Sequence, residues 1–264
     1  MQVISSKDNE LIKHIRKLKE KKERDASNEY LVEGIKIVKE AIQENAKIKQ
    51  IILCDDFEKT ESIPKDLMYE IAKHNCIYVT SKLFKYISEV QEPQGVLAVI
   101  EKNNGDKTID YTQDIIVALD DVQDPGNIGT IIRTMEATAF KNLILTKGSV
   151  DVYNPKTVRA TMGGIFKLNI LYETPENIIK FLKTENYQVI STLLDETSID
   201  YDKVILKEKN AYIFGNEGHG ITEIFVNSTD VKAIIPIYGD IDSLNVSVAS
   251  GVFLYKMREK LEKK

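Results

Sequence analysis

The chain has 264 residues, is 42% hydrophobic and carries a formal net charge of −5. That allows one large or two modest domains and argues against a protein that is basic all over, though not against a local basic face. No apolar run approaches the roughly 20 residues a membrane span needs, and the start, "MQVISSKDNELIKHIRKLKEKKERD", mixes bases with acids and leads to no apolar core, so no signal peptide is expected.

Cys54 and Cys76 are far apart in sequence and are expected as reduced thiols of a cytoplasmic protein. His14, His74 and His219 have no metal-ligand spacing, so no metal is expected. The first element is basic. Between Lys7 and Arg24 there are eight Lys or Arg residues and four acids, with Ile12, Ile15 and Leu18 near helical spacing. An amphipathic helix with a basic outer side is predicted, either simply solvated or contacting phosphates through Lys13, Arg16, Lys17, Lys21 and Lys22. Short patterns then alternate: strand at 29–34, helix at 35–45, strand at 49–56, helix at 64–75, strand at 77–81, helix at 82–88 and strand at 95–102. "KNNGDKTIDYTQ" is polar and aperiodic and reads as a linker, which places a domain boundary there.

In the second half, strands are predicted at Ile115–Leu119, Asn142–Thr146, Leu168–Tyr172, Gln188–Leu193, Ala211–Phe214 and Lys232–Ile237. Helical patterns lie between most of them. Apolar strands alternating with helices predict a mostly parallel sheet covered on both faces, with ligands beyond the carboxyl ends of its strands.

Three loops at such ends carry the chemistry. "LDDVQDPGNIGTIIRT" ends a strand in Asp120, Asp121 and Asp124. It then passes through two glycines into a helix with the apolar stripe Ile128, Ile131, Ile132 and Met135. Asn127 is a candidate helix cap, and Arg133 lies off the stripe. "YIFGNEGHGI" sets Asn216, Glu217 and His219 among three glycines. "IPIYGDIDSLNVSVASGVFLYK" ends a strand and enters a helix that is apolar or small nearly all round, expected to be buried on most sides, with Ser243 as its predicted cap. Each loop alone has a plain reading as caps, turns and a surface Arg. None is a G-x-G-x-x-G or P-loop pattern, which counts against a dehydrogenase.

Together and in this order, the three loops resemble the three motifs of the SpoU (TrmH) family of RNA ribose 2′-O-methyltransferases in the SPOUT superfamily. The likeness spans nearly all of the second half. The first half, with "ISSKDNELIKHIRKLK" and "EYLVEGIKIVKEAI", resembles the substrate-binding domain of many members, a small α/β ribosomal-protein-like (L30e-like) domain. "ATAFKNLIL" departs from the pattern with Ala139 where members often have Gly.

The resemblance implies an RNA substrate-binding domain at 1–104, a linker at 105–113 and a SPOUT methyltransferase domain at 114–264 with a C-terminal trefoil knot, a rarity among folds. It implies S-adenosylmethionine as cofactor, held by Gly215, Ile235 and Leu244, with Asn216 and Gly220 beside them and Thr192 and Leu193 at a neighbouring strand end. It implies a homodimer through the catalytic domain, no metal, and ribosomal RNA as the substrate, with transfer RNA the alternative. It gives Arg133 the leading catalytic role, supported by Asn127, Glu217, Ser243 and Asn245. Arginine is essentially always protonated, so Arg133 is expected to hold a phosphate or stabilise a developing alkoxide rather than to act as a base. A non-catalytic RNA binder of the same fold is the competing reading, which the complete residue set disfavours.

Overall fold

The computed structural model describes residues 3–57, 63–102, 109–110, 113–216 and 218–263. Two compact units emerge, one of Met1–Asn104 with Asp151–Phe166, the other of Gly105–Val150 with Lys167–Lys264.

The first unit is built on a five-stranded sheet: β1 (Val3–Ile4), β2 (Glu29–Glu33), β3 (Ile48–Cys54), β4 (Cys76–Val79) and β5 (Val96–Glu101), in the order β1-β4-β3-β5-β2. β1 and β3 run parallel to β4, while β5 is antiparallel to β3 and β2. The elements predicted between 29 and 102 are all found.

The basic segment differs from its prediction. It is two helices, α1 (Glu10–Lys17) and α2 (Lys21–Ser27). The cause is Arg24, counted above on the basic outer side but in fact only 2% exposed. Its Nη1 donates to the carbonyls of Leu18 (3.0 Å) and Lys19 (2.7 Å), which takes up the C-terminal end of α1. Its Nε and Nη2 donate to Asp151 Oδ2 at 2.9 and 2.6 Å. Removing one partner of such a buried pair costs about 3–5 kcal/mol. The sheet is completed by α3 (Ile35–Gln43), α4 (Lys65–Ile71) and α5 (Ser81–Ile87).

Residues Asp151–Phe166 group with this first unit, although the sequence reading left them in the second domain. Asp151 is drawn in by Arg24, and Tyr153 packs on Tyr30 with ring centroids 4.6 Å apart. The short helix Pro155–Ala160, seventh in chain order, lies against β2.

The second unit has seven strands: β6 (Ile115–Leu119), β7 (Asn142–Thr146), β8 (Asn169–Glu173), β9 (Gln188–Thr192), β10 (Ile199–Asp200), β11 (Asn210–Phe214) and β12 (Val231–Ile234). They are all parallel, in the order β10-β12-β9-β11-β6-β7-β8. Its helices are α6 (Pro125–Ala137), α8 (Pro175–Thr184), α9 (Glu223–Ser228) and α10 (Val246–Glu262). Every residue of β6, β7 and β11 is buried, as near-continuous apolar runs require. β12 stops at Ile234, short of the predicted Ile237, because Pro236 has no N–H for the ladder. β10 was not foreseen: two residues carry no period.

Part of the expected linker 105–113 falls on residues 105–108 and 111–112, outside the described residues. The rest is docked. Ile109 joins the core cluster of Ile116, Ala118 and Ile144. Asn142 both donates to and accepts from the backbone of Asp110, and the Tyr187 hydroxyl donates to the Gln113 carbonyl at 2.8 Å. Burial, with Glu185 nearby, pushes that phenol up to about 12. Among the described residues, no helix is long and apolar enough to cross a membrane.

Candidate active site

The carboxyl ends of β6, β9, β11 and β12 lie side by side, so the loops that follow them meet. At the end of β6 the carboxylates flagged in the sequence have separate tasks. Asp120, 1% exposed, accepts from the Thr222 N–H at 2.6 Å, and its own N–H donates to the Phe214 carbonyl. Asp121 adopts φ +55°; its carbonyl accepts from Asn216 Nδ2 at 2.8 Å, and its carboxylate lies 3.2 Å from His219 Nε2. Asp124 caps α6 by accepting from the Asn127 N–H at 2.9 Å. The expected cap was Asn127; Pro125 at the first helical position marks the residue before it instead. Ala139, just past this helix, sits at φ +57°, a strain that glycine would not carry.

After β11 the chain folds back on itself. Asn216 N donates to the Gly220 carbonyl at 2.8 Å and Gly220 N to the Asn216 carbonyl at 3.0 Å. This brings the Gly220 backbone so close to Gly215 that a Cβ there would lie 2.3 Å from Gly220 C. Glu217 lies outside the described residues. After β12, Asn245 rather than Ser243 caps α10, accepting from the Ser247 N–H at 2.9 Å. Its Nδ2 donates to Asn127 Oδ1 at 3.0 Å and ties the third loop to the first.

Between the second and third loops and the end of β9 lies a cleft of about 640 Å³. The proposed cofactor positions Thr192, Leu193, Gly215, Asn216, Gly220, Ile235 and Leu244 all line it, and so does Ser243. The sequence reading missed Ile237, Ala249 and Phe253, which also line it. Phe253 packs edge-on against Phe214, ring centroids 5.7 Å apart, and closes one side with aromatic surface. Only its place on an apolar helix hinted at this. Arg133 lies apart from the cleft, exposed, and makes no hydrogen bond or ion pair among the described residues.

α10 is less buried than expected. Val248 and Tyr255 are exposed. The small residues are used within the chain. Ala249 lines the cleft and Ser250 is buried, while a Cβ added to Gly251 would come within 4.0 Å of Thr134 Cγ2 on α6.

The cleft suits an elongated ligand with an apolar portion: its volume is within the usual range for small-molecule sites, and its walls mix aliphatic side chains with bare backbone. In the first unit, ligand atoms of Cys54, Asp55 and Asp56 lie within 4.8 Å of one another.

Comparison with known proteins agrees with this geometry. The profile of the SpoU rRNA Methylase family matches residues 114–255, and that of the MRM3-like substrate binding domain matches residues 9–98. The 23S rRNA (guanosine(2553)-2′-O)-methyltransferase RlmP of Bacillus subtilis is 33% identical over 98% of this chain and 100% of its own length. The mitochondrial rRNA methyltransferase 3 of Xenopus tropicalis is 25% identical over 97% of this chain and 75% of its own. An AdoMet-bound rRNA methyltransferase from Sinorhizobium meliloti superposes with a TM-score of 0.87 at 30% identity, covering 98% of both chains. With its three loops gathered at one end of a parallel sheet and a relative matched over its full length, the chain belongs to the SpoU rRNA methylase family.

Proposed function

We propose that the chain transfers a methyl group from S-adenosylmethionine to a ribose 2′-hydroxyl of ribosomal RNA, in the cytoplasm. The observation that carries this reading is the cleft that gathers the proposed cofactor residues from the end of β9 and from the second and third loops. The full-length likeness to RlmP makes a guanosine of 23S rRNA the first substrate to test. Bound there, the cofactor would supply a methyl on a sulfonium, with a neutral thioether as leaving group.

The chain's own residues have the remaining work. Ile235, Leu244 and Leu193 offer apolar walls for an adenine, and Gly215, Asn216 and Gly220 offer backbone groups. Ser243 lines the cleft, and Asn245, through its bond to Asn127, holds the third loop against the first helix of the unit. Much of the rate comes from such positioning. Arg133, exposed and without a bonded partner among the described residues, is the cation offered to the target phosphate or the developing alkoxide. Glu217 is assigned the task of orienting it or a neighbouring loop. The same reading gives the first unit RNA binding through a ribosomal-protein-like fold, with Lys17, Lys21 and Lys22 on its basic face.

A trefoil knot at the C-terminus is part of the reading. Its support is a register: Thr192 of β9 and Ile199 of β10 both pair with Ala233, on opposite sides of β12. Residues 193–198 connect β9 to β10 across β12, the kind of crossing that such a knot would use.

The test is a map of 2′-O-methyl groups on 23S rRNA incubated with the pure chain and labelled cofactor. One new methylated ribose is the expected result. No transfer to rRNA, with transfer to transfer RNA instead, would favour the alternative substrate; no transfer at all, with RNA bound, would leave a binding protein.

A homodimer through the second unit completes the proposal. Val248 and Tyr255, 53% and 58% exposed, lie seven residues apart on α10 with the half-buried Val252 between them, an apolar stripe at helical spacing. Val248→Glu is expected to convert a dimer to a monomer in sedimentation velocity. Unaltered protein that sediments as a monomer at micromolar concentration overturns it.

A further inference from the structure

The first unit holds two cations in an unusual way. Lys7 Nζ and the Arg16 guanidinium carbon each lie 4.1 Å from the centroid of the same ring, Tyr86. Arg16 is on α1 and Tyr86 on α5, which pack together, while Lys7 precedes α1. Several other cations of the first unit have a carboxylate. Lys13 meets Glu10 at 2.8 Å, Lys19 meets Glu89, Lys49 meets Glu29 at 3.3 Å, Lys73 meets Glu70 at 2.7 Å and Lys102 meets Asp25 at 2.6 Å. Among the described residues, Lys7 and Arg16 have neither a carboxylate nor a carbonyl partner. Both are exposed, and their donors are unspent.

Such a pair is costly without an anion. Two charges that share one ring are no more than about 8 Å apart, inside the screening length of about 10 Å at 0.1 M salt, so they repel each other. The ring attracts each cation electrostatically and limits its movement. It leaves the guanidinium fork and the ammonium protons without acceptors. A phosphodiester supplies what is missing: negative charge beside the two cations and oxygens for the fork. Lys17 on α1 and Lys82 and Lys85 on α5, also exposed and without a salt bridge among the described residues, add to the positive charge of these two helices. A chain with a net charge of −5 that leaves these cations open has a polyanion as the fitting occupant of this face.

We infer that Lys7, Arg16 and Tyr86 form a preorganised phosphate-binding site that grips the backbone of the RNA substrate. The inference rests on the reading of the chain as an RNA methyltransferase and adds which residues of the first unit fix the RNA. Tyr86 is a positioning residue, acting through the two cations. Lys13, which the sequence reading placed beside Arg16, is occupied by Glu10 and contributes little.

The experiment uses the full chain and in vitro transcribed 23S rRNA, with affinity measured at several salt concentrations. Lys7→Gln with Arg16→Gln is expected to weaken binding about 10-fold or more at low salt. It should also flatten the plot of log affinity against log salt by about 0.7 to 0.9 for each phosphate the protein no longer neutralises. Tyr86→Leu keeps both charges and should weaken binding less, by roughly 3-fold, while Lys13→Gln should change it little. Cofactor affinity and the thermal midpoint are read in parallel, and neither should move in the two exposed Gln variants. Unaltered affinity and slope in the double variant overturn the site, as does a loss in Lys13→Gln equal to that in the double variant. If the unaltered chain methylates rRNA and the double variant binds normally, the phosphate site alone fails. If the unaltered chain neither binds nor methylates rRNA, the proposed function fails and the site with it.

Discussion

Arg133→Ala is expected to lower methyl transfer about 100-fold or more while leaving S-adenosylmethionine affinity and folding nearly unchanged. The first half of that expectation comes from what a cation does when it meets charge developing on the reacting oxygen. Removing one preorganised interaction with charge that develops in a transition state typically costs a factor of about 10² to 10³, and each factor of ten corresponds to about 1.4 kcal/mol of barrier. The second half comes from the geometry. Arg133 is exposed, does not line the cleft and makes no bond among the described residues, so its removal leaves no buried group unpaired and no wall missing. Arg133→Lys should recover little activity, because a point charge does not reproduce a planar fork. Single-turnover methyl transfer on the RNA that the unaltered chain methylates, with cofactor affinity measured by calorimetry, separates the two effects. Near-normal transfer by Arg133→Ala would falsify the role and leave an ordinary surface arginine. A loss of cofactor affinity equal to the loss of rate would move Arg133 from the RNA side of the reaction to the cofactor side.

What could be read from the sequence follows from how local the cause is. Ile115–Leu119 and Asn142–Thr146 were legible to the residue, because a strand buried on both faces must be a continuous apolar run with polar ends. The three loops were legible because glycines and short polar residues cluster where a strand ends. The caps were misread by three residues at α6 and by two at α10. Asn127 and Ser243 have capping chemistry, but so do Asp124 and Asn245, and the choice depends on where the backbone first turns helical. Pro125 was the available clue at α6. Other features had no local signature. Arg24 is a cation like its basic neighbours, and its buried carboxylate partner, Asp151, is 127 positions away. The pairing of Lys7 and Arg16 on Tyr86 likewise exists only once α1 and α5 pack. The place of β12 between β9 and β10 is a property of topology, which no window of residues contains.

Gly215 is where the fold of the site and its chemistry depend on one hydrogen atom. A Cβ at this position would lie 2.3 Å from Gly220 C, 2.4 Å from Gly220 O and 2.6 Å from Ile221 Cγ2. The Ile221 methyl could rotate away, but the Gly220 carbonyl cannot. It accepts from Asn216 N, and Gly220 N donates back to Asn216, so moving it opens the pair of bonds that shapes the second loop. The conflict is one of space, since Gly215 does not need a left-handed backbone. Gly215→Ala must therefore displace the loop that carries Asn216 and Gly220 into the cleft. Overpacking of this kind costs typically about 1–3 kcal/mol, and when it falls on a binding loop it appears as weaker affinity at about 1.4 kcal/mol per factor of ten. Cofactor affinity is expected to fall about 10-fold or more in Gly215→Ala, with a lower thermal midpoint and transfer reduced in proportion. Gly239 in the third loop is the control. Nothing lies within 4 Å of a Cβ there, and Gly239→Ala should bind cofactor like the unaltered chain. Equal affinity in the two variants, measured by calorimetry on folded protein, would mean that the second loop does not touch the cofactor and that the cleft is held by β9, β12 and α10 alone.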